Sequence, residues 1–236
     1  MTEWKIYEDK YLVAVNKPPG IVCEPRNFPG LQLVHRIDKD TSGVVLLCKD
    51  PDNLEKFQSL FKKRSVKKVY LGLFFGRVLD RETKQPREER NDFKLTQLNK
   101  SAGLVEAPVQ RIAGHSGKFG VGVLGRPSQT SFKVLRYFRY KSLDLSLVEV
   151  YPLTGRTHQI RVHFAAGGWP LVADSTYGPK RLNDKLPLSR QFLHAKSLAF
   201  KHPFSGEALR IEASLPDDLK SFLKLIRRET TEEENP

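Results

Sequence analysis

The sequence predicts an α+β fold with a mixed, largely antiparallel central sheet and a few flanking helices. Three observations point there: segments of strand character outnumber those of helical periodicity, the two kinds do not alternate strictly, and two long strand segments near the middle read as a hairpin. From the N-terminus, residues 3–17 read as a strand pair or a strand entering a turn, with Tyr11, Val13 and Val15 alternating before Lys17-Pro18-Pro19-Gly20. Gly43 ends a loop, and Val44 to Cys48 is a buried strand by its length and branching. Asp50-Pro51 suits an N-cap followed by proline at the first helical position. Leu54, Phe57 and Phe61 then supply one apolar face, and Lys62, Lys63 and Arg64 favour a helix C-terminus. Residues 66–76 return to strand, while Phe132 to Phe138 and Leu143 to Leu153 form the hairpin around a basic turn. Residues 80–128 between them are polar and glycine-bearing, with a weak strand around Leu104 to Arg111. Thr157 is the expected cap of a helix from His158 to about Ala166, closed by Gly167-Gly168. A last helix is expected from Pro216 to Arg228, with Leu219, Phe222, Leu223 and Ile226 on one face.

At 236 residues, 39% apolar and 28% charged, with 16 Gly and 15 Pro spread along its length, the chain is neither disordered, collagenous nor a coiled coil. One domain over 1–228 is expected, followed by an acidic, disordered tail at 229–236. The longest apolar runs, Tyr11 to Val15 and Val44 to Cys48, have five residues each, far short of the roughly 20 that cross a bilayer. The opening residues lack the apolar stretch of a secretory signal, so the cytoplasm is the expected compartment and no membrane association is expected. No exposed apolar stripe stands out, which favours a monomer. Cys23 and Cys48 lie 25 apart, matching no redox or zinc spacing. The net charge is +13, and because the tail holds four glutamates and no base, residues 1–228 carry +17. A body so basic attracts a polyanion, and nucleic acid is the commonest in the cytosol.

His35-Arg36-Ile37-Asp38-Lys39-Asp40-Thr41-Ser42-Gly43 gathers three bases, two carboxylates and two hydroxyls before a buried strand. A calcium loop starting at Asp38 fails at its twelfth position, where Lys49 stands in place of glutamate. A kinase catalytic loop fails because Ile37 interrupts His-Arg-Asp and no glycine-rich phosphate loop accompanies it. Two readings stay open: Asp38 and Asp40 only hydrogen-bond loop backbone, or Asp38 acts on a nucleic-acid sugar, kept ionised by neighbouring cations. The histidines give no metal pattern, since His158 and His163 are five apart and a helix does not place them on one face; structural roles are expected for them and for His35 and His194.

The nine residues 35–43 closely resemble the HRLDxxTSG motif of the RluA-type pseudouridine synthases. Asn16-Lys17-Pro18-Pro19-Gly20 resembles the KPxG turn that precedes that motif, and Lys68-Val69-Tyr70-Leu71 the K-x-Y strand that follows it. Residues 154–163, TGRTHQIRVH, then Asp174-Ser175-Thr176-Tyr177-Gly178, Leu193-His194-Ala195 and His202-Pro203 continue the likeness in order, over nearly the whole chain. The resemblance implies that family's fold with a catalytic cleft, and isomerisation of uridine in RNA to pseudouridine with base flipping. Transfer and ribosomal RNA are both open as partner, and no metal or organic cofactor is implied.

Asp38 is then the implied catalytic carboxylate. Attack on C1′ and removal of the C2′ proton are both open, and each requires the ionised form. Arg161 is implied as its ion-pair partner, and Tyr70 as the residue against the uracil ring, its hydroxyl a proton acceptor or relay. Ile160 is the implied apolar floor and Arg36 the residue that holds the flipped arrangement. Lys62, Lys63, Arg64, Lys67 and Lys68 suit phosphate contacts, with a solvated helix end as the competing view. His35, Thr41 and Arg156, lying within the motifs, join the substrate-binding candidates. The chain departs from larger family members, in which a small RNA-binding domain precedes the KPxG turn; here recognition is expected from the catalytic domain, helped by residues 80–128. Cys23-Glu24-Pro25 also differs from the family's apolar-His-Pro. A non-catalytic RNA-binding protein is the alternative, weakened because RNA binding needs no such set as Asp38, Tyr70 and Arg161. A nucleoside glycosidase fits less well, since hydrolysis usually places two carboxylates about 5–9 Å apart across the bond.

Overall fold

The computed structural model describes residues 2–80, 92–115 and 117–230. In chain order its strands and helices are β1 (Lys5–Glu8), β2 (Leu12–Lys17), β3 (Gln32–Leu33), β4 (Ser42–Cys48), α1 (Pro51–Lys62), β5 (Lys67–Phe75), β6 (Lys94–Gln97), β7 (Ala102–Glu106), β8 (Val109–Arg111) and β9 (Phe119–Val121). There follow β10 (Gln129–Tyr140), β11 (Leu143–Pro152), α2 (Gln159–Ala166), α3 (Lys180–Asn183), β12 (Leu193–Lys201), β13 (Ala208–Glu212) and α4 (Asp217–Glu229). The expected α+β class holds, with helices few and strands many. The chain packs as two compact units, residues 1–70 with 194–216 and residues 71–193 with 217–236.

In the first unit β2 and β4 pair antiparallel, β1 flanks β2, β12 lies parallel to the start of β4, and β13 pairs antiparallel with β12. Every residue of β4 is buried, as its apolar run requires. Its two faces feed two cores. Leu12, Ala14, Val44, Leu46 and Cys48 pack with Phe57 of α1, whereas Val13, Val15, Val45 and Leu47 pack with Cys23, Phe28 and Ile37 from the segment before β4. Strand alternation thus puts α1 on one side and the polar loop on the other. As expected, Asp50 caps α1, its carboxylate accepting from the Asp52 N–H at 3.0 Å.

In the second unit β11, β10, β7 and β6 run antiparallel in turn. The β10–β11 hairpin is longer than its sequence suggests and closes on Lys141 and Ser142, both at positive φ (46° and 63°), the geometry of a two-residue primed turn. Phe164 of α2 lies between Phe74 and Phe132, with ring centroids at 3.9 and 5.1 Å. The apolar face read for the last helix is buried, with Phe222 of α4 against Tyr140 and Phe192. The single weak strand expected around Leu104 to Arg111 is divided into β7 and β8, because Ala107-Pro108 interrupts it and Pro108 has no N–H to continue a ladder. The cap of α2 also differs: His158, not Thr157, is the N-cap, in a left-handed conformation (φ 56°) with no side-chain cap bond. Of the tail expected at 229–236, Glu229 ends α4 and residues 231–236 lie outside the described residues.

Gly43 sits where β4 meets β12. Its φ is +119°, and an added Cβ would lie 2.2 Å from the Ala195 carbonyl oxygen, so both conformation and space demand glycine. Gly20, at φ +82°, has nothing within 4 Å of such a Cβ. Gly43→Ala is therefore expected to lower unfolding free energy by at least about 3 kcal/mol, against about 1 kcal/mol for Gly20→Ala; urea titration of both variants checks the difference.

Candidate functional site

The loop that carries Asp38 is held at both ends. On one side the buried Lys17 ammonium donates to the carbonyls of Pro18 (2.8 Å), Ile21 (2.9 Å) and Lys39 (2.8 Å), and the Gly20 N–H donates to the same Lys39 carbonyl at 3.0 Å. The turn Lys17-Pro18-Pro19-Gly20 is thereby clamped to the residue after Asp38. On the other side the Ser42 hydroxyl lies 3.0 Å from His194 Nδ1, while His194 Nε2 faces the Ala213 carbonyl at 3.1 Å. A carbonyl only accepts, so Nε2 carries the proton and Nδ1 accepts from Ser42. Between these ties the loop closes on itself, the Thr41 N–H donating to the Asp38 carbonyl at 3.1 Å.

Residues 35–38 alternate in environment: Arg36 is exposed, Ile37 is buried in the apolar cluster with Cys23, Phe28 and Val45, and Asp38 is half-buried. Ile37 anchors the backbone so that the carboxylate next to it is fixed yet reachable. Tyr70 packs against the same cluster. Burial raises the pKa of its phenol well above the ordinary value, and the negative charge of Asp38 pushes in the same direction. The structure thus brings Asp38 and Tyr70 into electrostatic reach, with a phenol that keeps its proton at neutral pH. Burial likewise raises the pKa of the Cys23 thiol, which is free.

The remaining candidates of this unit separate by position. His35 accepts the Leu46 N–H through Nε2 at 3.1 Å and stacks on Phe61 with centroids 4.6 Å apart. Desolvation, aided by the Lys68 charge, lowers its pKa to about 3. That geometry makes His35 a neutral strut of the loop. Thr41, at the end of the same loop, is buried, with 1% exposure. Lys62, Lys63, Arg64 and Lys67 are exposed around the end of α1 and the start of β5. Lys68 is half-buried, and desolvation together with Arg64 brings its pKa down to about 8.

Arg161 belongs to the second unit, on α2. It forms a bidentate pair with Asp174, Nε to Oδ2 at 2.7 Å and Nη2 to Oδ1 at 2.8 Å, with side chains 6% and 0% exposed. Asp174 Oδ1 also accepts the N–H groups of Thr176 (2.9 Å) and Tyr177 (3.1 Å), a turn that sets the Tyr177 ring 5.0 Å from the Arg161 guanidinium carbon. The Tyr177 oxygen receives the Phe119 N–H at 2.9 Å and lies 2.9 Å from His158 Nδ1. Gln159 completes the frame: its side-chain oxygen accepts from Thr154 Oγ1 and the Arg156 N–H, and its amide donates to the Gln129 carbonyl and Thr130. Ile160 is buried, and Arg156 is half-buried with an Nε that has no hydrogen-bond partner. The sequence reading missed Asp174, Gln159 and Tyr177 as determinants of Arg161, although all three stand in motifs it singled out. An acid thirteen residues after an arginine has no local signature, and only the tertiary fold pairs them. His163 Nε2 faces the Ala107 carbonyl at 3.0 Å, so all four histidines weighed for a metal are hydrogen-bonded inside the fold.

A carboxylate on an anchored loop beside a neutral phenol suits proton and glycosyl chemistry at a nucleotide, and comparison with known proteins agrees. The model of the RNA pseudouridylate synthase family matches residues 11–166. The chain belongs to that family, whose reaction is the isomerisation of uridine in RNA. Among curated relatives it is 34% identical to ribosomal large subunit pseudouridine synthase C of Yersinia pestis, across 96% of this chain and 70% of that protein. To ribosomal large subunit pseudouridine synthase D of Nitrosomonas europaea it is 32% identical, across 94% and 64%. Among solved structures, human RNA pseudouridylate synthase domain containing 1 superposes with a TM-score of 0.69 at 25% identity, covering 98% of this chain and 96% of that one. Human RNA pseudouridylate synthase domain containing 4 shares the fold with a TM-score of 0.71 at 24% identity, covering 100% and 95%. Among the described residues no helix is long and apolar enough to cross a membrane.

Two outcomes follow. Asp174→Asn, which removes the charge of the carboxylate paired with the buried guanidinium, is expected to cost about 3–5 kcal/mol of stability in urea unfolding. Tyr70 binds its proton more tightly folded than unfolded. Its contribution to stability is therefore full below the ordinary tyrosine pKa of about 10 and is lost as pH rises through the higher folded value. Ultraviolet titration of wild type against Tyr70→Phe should show the missing phenolate signal only above the range of ordinary tyrosines.

Proposed function

We propose that this enzyme converts uridine to pseudouridine in ribosomal RNA of the large subunit, using Asp38 as catalytic carboxylate and Tyr70 at the uracil ring, with Arg161 as a further catalytic residue. The names of the relatives support the choice of ribosomal over transfer RNA. A monomer in the cytoplasm completes the reading.

The single observation that supports Asp38 most is its placement: half-exposed, on a loop fixed by Lys17 and by the Ser42–His194 contact, and close enough to Tyr70 to raise that phenol's pKa. In the reaction the bond from C1′ to N1 breaks, the uracil turns, and C5 bonds to C1′; the C5 proton leaves and N1 regains a proton. Asp38 opens the sequence, by bonding to C1′ or by taking the C2′ proton. Because Tyr70 holds its proton, it serves as a neutral relay for the C5 proton and as a stacking face, not as a preformed phenolate. Asp174 and Tyr177 keep the Arg161 guanidinium oriented. Arg36 and the exposed bases Lys62, Lys63, Arg64 and Lys67, with Lys68, are suited to phosphate contacts. Arg156, half-buried, joins them.

Tritium release from large-subunit ribosomal RNA labelled at uracil C5 measures the reaction. Wild type is expected to release tritium from this RNA and not from transfer RNA. Asp38→Asn should reduce release at least about 100-fold with RNA affinity retained, and Tyr70→Phe should lower kcat more than it changes KM. Release by Asp38→Asn at the wild-type rate would remove Asp38 from its role.

A further inference from the structure

The most exposed large apolar side chains described are adjacent: Val123 is 75% and Leu124 90% exposed. They sit at the two central positions of a tight turn after β9, closed by the Gly125 N–H on the Gly122 carbonyl at 2.8 Å. Such positions ordinarily hold polar residues or glycine. The turn is rigidly based. Gly122 N–H donates to the Pro108 carbonyl at 3.1 Å, and Arg126 and Val109 exchange both backbone bonds at 2.9 and 3.0 Å. A Cβ on Gly125 would lie 2.7–2.8 Å from backbone atoms of Val109, Gly122 and Pro108, so the two glycines let the chain fold tightly enough to present the pair outward. β9 itself is pinned through the Phe119 N–H to Tyr177.

The surroundings of this tip are cationic. Residues 107–128 contain no Asp or Glu, and Arg111 on β8 and Arg126 just after the turn are exposed, with Lys118 half-exposed. Cations around a stiff aliphatic point match a nucleic acid, whose phosphates take the cations and whose base stack can admit an aliphatic side chain. We infer that Val123 and Leu124 form a wedge inserted between bases of the folded RNA substrate, with Arg111 and Arg126 gripping phosphates on either side. This rests on the RNA reading above and adds a named unstacking element to it. Opening a base step costs stacking, and an apolar point on a rigid turn compensates for that loss without contributing charge.

The test uses the full chain with Val123→Ser and Leu124→Ser combined. Both side chains are exposed, so the thermal midpoint should stay within about 2 °C of wild type. On unmodified large-subunit ribosomal RNA the variant should lose about tenfold in kcat/KM and in filter-binding affinity, by the same factor at 50 and 200 mM salt, because an uncharged contact releases no counterions. Arg126→Ala should instead weaken binding with a shallower salt dependence. Unchanged kinetics and affinity in the double variant would overturn the wedge and leave uridine isomerisation standing. If wild type releases no tritium, the isomerisation reading fails, while the comparison of RNA affinities still decides the wedge. Loss of self-association in sedimentation, or of binding to anionic phosphatidylserine vesicles, with RNA affinity intact would overturn it in favour of a second copy or a lipid surface.

Discussion

A single buried ammonium organises the first unit. Lys17 ends β2 with its charge out of water, a placement that is costly unless each donor is used, and three backbone carbonyls use them. The lysine thus converts a flexible Pro-Pro-Gly turn and a polar loop into one hydrogen-bonded body. The second constraint is steric. Gly43 admits β12 so closely that no side chain fits between, and the neighbouring Ser42–His194 bond forms in the same register. Asp38 stands between these two fixtures, which explains how a loop residue can be as well placed as one on a strand.

In the second unit a carboxylate plays the corresponding part. Asp174 accepts two guanidinium nitrogens and two backbone N–H groups, so its charge is distributed over donors on every side. The turn it makes supplies Tyr177, whose ring lies against the guanidinium and whose hydroxyl reaches His158 and β9. Arg161 is consequently oriented by a charge, a ring and the helix that bears it. Lysine at that position could not reproduce the planar two-point match.

Much of this was legible in the sequence where local rules decide. β4, α1 with its Asp50 cap, the β10–β11 hairpin and α4 follow from apolar runs, period and turn residues. The motif at 35–43 pointed to Asp38, and the K-x-Y strand to Tyr70, through likeness to a family; periodicity alone left both as ordinary loop and strand residues. What escaped was non-local. β12 was seen only as a motif fragment, since its pairing with β4 joins strands some 150 residues apart. Lys17 read as a turn residue because burial of an ammonium is invisible without the carbonyls around it. The cap of α2 was misplaced by one because Thr157 is the commoner cap type, whereas Gln159 here satisfies the preceding backbone instead.

The contact between Ser42 and His194 spans 152 positions along the chain. Closing so long an interval costs entropy before any pairing can offset it. During synthesis the N-terminal strands and α1 emerge early, yet the segment bearing Asp38 lacks one of its two fixtures until β12 has been made. A truncation removing β12 would therefore leave every residue of the 35–43 motif present but held only on the Lys17 side.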